Sequence, residues 1–96
     1  MNIDEYFDFL SSNDIRIKGH RIGIETVLYD FLYRSRTPDE ILQSYPSLSL
    51  EKIYATILYY YQNKDDVDRY ITEWIEYGEE QRRIQEANPT PFMLKL

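Results

Sequence analysis

Few side chains in this sequence could do chemistry. His20 is the only histidine in 96 residues, and there is no cysteine. A single imidazole without a thiolate cannot supply the three or four protein ligands of a zinc site. A general base needs a nucleophile or an orienting acid within hydrogen-bond reach, and no spacing around His20 signals one. Only three glycines occur, and none forms a phosphate-cradling loop. The acids between Asp65 and Glu80 match no calcium-loop spacing and read as a solvated helix face. These residues point away from catalysis, metals and cofactors, and toward the binding of other macromolecules.

The residues suited to binding fall into two groups. Arg16, Lys18, His20 and Arg21 cluster around one turn. Arg16, Lys18 and Arg21, with Lys52, are candidate DNA phosphate contacts. Charge on a strand edge that blocks unwanted pairing is the other reading of the turn. Arg34 and Arg36 end a helix, where cations are favourable without any ligand. The net charge of −6 limits non-specific affinity for DNA. It is unevenly spread: residues 14–36 hold five cations against three acids, and residues 64–96 five against eight. The second group is aromatic and apolar. Ten tyrosines are present, and Tyr59-Tyr60-Tyr61 must point in three directions from one helix. Tyr61 is expected in the core, with Tyr59 or Tyr60 at a contact. Trp74, Phe92, Met93 and Leu94 complete the candidate partner or dimer contacts.

The elements that position these residues follow from periodicity. Residues 1–13 form an N-terminal arm, a short helix or an extended segment. Ile15, Ile17, Ile22 and Ile24 alternate with charged or small residues around Lys18-Gly19-His20, which predicts a β-hairpin over 15–24. Ile24, Val27, Leu28, Phe31 and Leu32 mark one face of a first helix, to about residue 35. Thr37-Pro38-Asp39-Glu40 is a capping box with proline at the first helical position. The second helix it opens ends before Tyr45-Pro46. Ser49 caps a third helix to about Gln62, with Leu50, Ile53, Ile57, Leu58 and Tyr61 predicted as its buried face. A fourth runs over 64–87 with Val67, Tyr70, Ile71, Trp74 and Tyr77 on one side, and past Gly78 that stripe fails. Residues 88–96 are an extended apolar tail after Pro89 and Pro91. The fold class is mostly α with a small β-hairpin, in a single domain: hairpin plus three helices over 14–63, then a long C-terminal helix.

The short second helix, tight turn and third helix have helix-turn-helix proportions, with a packing hairpin as the equal alternative. The Ile15–Ile22 segment, Thr37-Pro38-Asp39-Glu40-Ile41, Tyr45–Glu51 and Ile53–Tyr60 follow one another in an order that resembles the domain-of-unknown-function family 433. These are small bacterial proteins, and the Asn88-Pro89 tail is similar to longer cyanobacterial members. Where the family typically reads Gly-Thr-Arg, this chain has Gly19-His20-Arg21. The resemblance implies a homeodomain-like three-helix core behind a hairpin. It also implies an antitoxin-like role, because such genes often neighbour a PIN-like ribonuclease toxin.

The expected function is an antitoxin-like, DNA-binding homodimer that neutralises a PIN-like ribonuclease and autoregulates its operon through operator DNA. The alternative is a homodimeric interaction adaptor that never touches DNA. No cofactor, membrane span or signal peptide is expected, and the cytoplasm is the expected location. The apolar tail either covers the protein's own surface or its dimer mate, or inhibits a toxin.

Overall fold

Ile15 and Ile17 do form a strand, but its partner is not the one expected. The computed structural model describes residues 2–87, which contain one 3-10 turn, two strands and four α-helices. After the turn Ile3–Tyr6, strand β1 (Phe7–Ser11) pairs antiparallel with β2 (Asp14–Ile17), aligning Phe7 with Ile17 and Phe9 with Ile15. A register irregularity lies between Phe9 and Ser11. The hairpin predicted over 15–24 survives as a tight turn with one bridge, Arg16 to Gly23. Gly19 takes φ 82° there, the left-handed region open to glycine. The physical reason is competition for residues. Helix α1 (Ile24–Tyr33) already claims Ile24, leaving too little chain beyond the turn for a strand. The former arm supplies five residues instead, with Phe7 in the core.

The helix starts follow the sequence signals. In α2 (Pro38–Ser44) the Glu40 N–H donates to Thr37 Oγ1 at 3.2 Å, and the Thr37 N–H donates to Glu40 Oε1 at 2.9 Å. Ser49 Oγ accepts from the Lys52 N–H at 3.2 Å and opens α3 (Leu50–Gln62). Helix α4 spans Lys64–Ala87. Ile17, Ile24, Val27, Leu28, Ile41, Ile53 and Val67 close one core between the sheet and the helices. The first two turns of α4 enter it through Val67, Tyr70 and Ile71, and Ile75 of the next turn packs against its edge. The rest projects away and gives the molecule a long dimension of 54 Å. Among the described residues no helix is long and apolar enough to cross a membrane.

Arg34 and Arg36 serve the fold. Asp30 is buried on α1, and its carboxylate accepts from Arg34 Nη1 at 3.3 Å and Arg36 Nη1 at 3.0 Å. Arg36 Nη2 also donates to the Glu40 carbonyl at 2.8 Å, tying α1 to α2. Asp30→Asn keeps the shape and removes the charge from both pairs. It is expected to cost about 2 kcal/mol, the scale of charge-assisted hydrogen bonds to a buried group, read as a lower urea midpoint.

Candidate functional site

The basic turn and the start of α3 meet. Lys52 Nζ lies 2.8 Å from His20 Nε2, which holds the 18–21 turn against the first turn of α3. Lys18 and Arg21, on either side of His20, are exposed and make no ion pair among the described residues. Arg16 is committed elsewhere: its Nε and Nη2 each lie 3.0 Å from an Asp14 carboxylate oxygen. Of the four cations read as phosphate contacts, Lys18, Arg21 and Lys52 therefore gather at one end of α3. Arg16 is neutralised on the strand.

Helix α3 has two apolar faces. Ile53, Thr56, Ile57 and Tyr60 enter the core. Thr56 is accommodated there because its hydroxyl donates to the Lys52 carbonyl at 2.8 Å. Leu50 (37% exposed), Tyr54 (55%), Leu58 (47%) and Tyr61 (58%) form a second stripe that faces outward. This reverses the expectation that Leu50, Leu58 and Tyr61 would be buried. It also moves the tyrosine contact. Tyr60 is in the core, its hydroxyl donating to Asp68 at 2.8 Å, and burial pushes it up to about 12. Tyr59 packs against Phe7 and Phe9, at ring distances of 5.0 and 5.9 Å. The exposed tyrosines of α3 are Tyr54 and Tyr61, the latter edge-on to Tyr60 at 5.3 Å. Beside the stripe, a groove of about 490 Å³ runs between Ile3 and Tyr6 on one side and Tyr54 and Leu58 on the other. The Tyr6 hydroxyl donates to the Glu51 carboxylate at its edge. Sequence reasoning missed Tyr54. The signal was there, as residues 50, 54, 58 and 61 repeat on a helical period next to the first stripe.

A second aromatic surface lies on α4. Trp74 is 41% exposed and Tyr77 65%. Tyr29 meets Trp74 edge-on at 5.6 Å and stacks on Tyr33 at 5.3 Å. Trp74 and Tyr77 separate two grooves. One, about 530 Å³, is completed by Asn13, Asp14, Tyr70 and Glu73. The other, about 390 Å³, lies against Tyr29 and Arg82. Phe92, Met93 and Leu94, the tail contacts read from the sequence, lie outside the described residues. Among the described residues no group of three or more potential ligands gathers for a metal ion.

These features define a small, mostly helical protein with a two-stranded antiparallel sheet and open aromatic grooves on its helices. A family model described as Protein of unknown function (DUF433) matches residues 10–60, from the end of β1 to the end of α3. The match covers more than half of the chain, and the chain belongs to that family. No curated protein and no solved structure matches it.

Proposed function

We propose that this protein is an antitoxin-like, non-enzymatic binding protein. It acts as a homodimer and neutralises a PIN-like ribonuclease by direct protein contact. The outward stripe of Leu50, Tyr54, Leu58 and Tyr61 carries the reading. Four large apolar side chains exposed along one helix favour an interface. A patch on one helix can pair with its own copy about a two-fold axis, which closes the assembly at two. The ribonuclease partner comes from the family resemblance, and the acidic α4 suits an electropositive active site.

Helix α2, the turn Tyr45–Ser49 and α3 have the proportions of a homeodomain-like helix-turn-helix, which keeps operator DNA as a second reading. The meeting of Lys52 with the Lys18–Arg21 turn favours it. The face such a helix would lay in the major groove argues for a lesser role. It carries Leu50, Glu51, Tyr54 and Leu58, with an acid and no cation. Contacts are then to phosphates rather than base edges.

Light scattering at micromolar concentration is expected to give the dimer mass. Tyr54→Glu with Leu58→Glu is expected to give a monomer with an unchanged helical spectrum. A monomeric wild type would overturn the dimer. For the activity, a PIN-like ribonuclease gene is expected beside this one, and the purified chain should suppress RNA cleavage by its product. Undiminished cleavage at molar excess would overturn the antitoxin reading.

A further inference from the structure

The groove beside Trp74 and Tyr77 differs in character from the α3 stripe. Its lining is Asn13, Asp14, Tyr70, Glu73, Trp74 and Tyr77: three aromatic rings, two carboxylates and no cation. At about 530 Å³ it has room for an extended, charged side chain. We propose that this groove receives an arginine side chain from a basic segment of a protein partner. The inference rests on the reading that the chain binds a protein.

Two features of the groove select the occupant. Aromatic faces attract a cation through the negative face of the ring, and a planar guanidinium can stack there while its N–H groups reach a carboxylate. An ammonium does the second without the stacking. The carboxylates then separate by their present duties. Asp14 already holds Arg16 with both oxygens, showing a guanidinium bound at the rim of this groove. Glu73 is exposed and makes no hydrogen bond or ion pair among the described residues. It is the carboxylate left for an incoming guanidinium. Tyr70 has its hydroxyl engaged by Ile15 and Glu25 and contributes ring surface only. The charge of α4 as a whole agrees, with eight acids against four cations, and Arg16 at the rim is already neutralised by Asp14. A basic partner is steered to this side, and a like-charged one is turned away.

Trp74 is the only tryptophan of the chain, so its fluorescence reports the two grooves it separates, and Glu73, which lines only this one, assigns the response. The probe is a short peptide of alternating glycine and arginine, titrated into the full-length protein at low salt. The control replaces each arginine with citrulline, which keeps the shape and loses the charge. A saturable change in Trp74 emission with the arginine peptide alone is expected. Glu73→Gln and Tyr77→Ala, both at exposed positions, should each weaken binding roughly tenfold, and added salt should weaken it further. An equal response to both peptides, or none at millimolar peptide, overturns the proposal. Two other occupants would also overturn it. Emission that depends on protein concentration would place a second copy in the groove. A red shift in the full-length F92S/M93S/L94S variant would place residues 88–96 there. Failure of this proposal is separable from failure of the functional reading. If ribonuclease inhibition survives Glu73→Gln and Tyr77→Ala, the groove assignment falls and the antitoxin reading stands. If the arginine peptide binds and the ribonuclease is not inhibited, the antitoxin reading falls and the groove assignment stands.

Discussion

Tyr70→Phe is expected to lower stability by about 2–3 kcal/mol, a large effect for the loss of one oxygen atom. The Tyr70 hydroxyl joins three elements. It accepts from the Ile15 N–H of β2 at 3.1 Å and donates to Glu25 Oε2 of α1 at 3.0 Å, while its ring is buried on α4. Phenylalanine fills the same space but leaves a buried backbone N–H without a partner. Leaving such a donor unsatisfied costs about 1–3 kcal/mol, and the bond to a carboxylate is lost as well. The Glu25 carboxylate reaches this hydroxyl by folding over Gly23, where any side chain would meet it. Chemical denaturation of the two proteins, with the same slope in urea, checks the value.

The same hydroxyl makes stability depend on alkaline pH. Burial, and then the Glu25 carboxylate, raise Tyr70 above its ordinary value, although the Ile15 N–H works the other way. Burial raises Tyr60 as well. A phenol whose folded pKa is raised stabilises the fold fully below the unfolded pKa near 10, and that contribution is lost as pH rises toward the folded pKa. Above pH ~10 the unfolded chain has released these protons while the folded chain retains them. Stability should therefore fall with pH, by up to about 1.4 kcal/mol per pH unit for each phenol. Tyr70→Phe should make that decline shallower. An unchanged decline would show that other groups drive alkaline unfolding.

Ile53→Ala is expected to be the most damaging single truncation on α3, at about 3–4 kcal/mol. Ile53 is fully buried on the inner face of α3, within the core cluster shared with Ile41 of α2 and Leu28 of α1. Removing buried methyl and methylene groups costs their transfer free energy plus the cavity left behind, about 2–5 kcal/mol for Ile→Ala. A domain of this size holds only a modest total stability. The variant should therefore melt more than ten degrees lower, by the usual relation between free energy and midpoint for short chains. Leu58→Ala, one turn further along on the outer stripe, should leave the melting of the monomer nearly unchanged. Equal losses at both positions would mean that the two faces of α3 are not distinguished as described.

Local chemistry in the sequence determined the helices. Thr37, Pro38 and Glu40 satisfy the first N–H groups of α2 among themselves, and Ser49 does the same for α3. Interactions across three or four residues need no other part of the chain, so the starts of α2 and α3 were legible. The alternation of Ile15 and Ile17 with Asp14 and Arg16 likewise placed β2. The tertiary structure decided whatever depends on a distant neighbour. Strand β2 needs an edge to pair with, and periodicity within 15–24 does not show that Phe7–Ser11 provides it. Arg34 and Arg36 look like solvated helix-end cations until Asp30 is buried between them. Helix α3 carries two apolar stripes, and hydropathy alone does not say which one the core takes. The core takes Ile53, Ile57 and Tyr60, while the Ile3–Tyr6 turn and β1 cover the flank at Ala55 and Tyr59. Leu50, Tyr54, Leu58 and Tyr61 remain outside. Burial is a property of the neighbours that pack on a residue, and those neighbours come from parts of the chain that only the fold brings near.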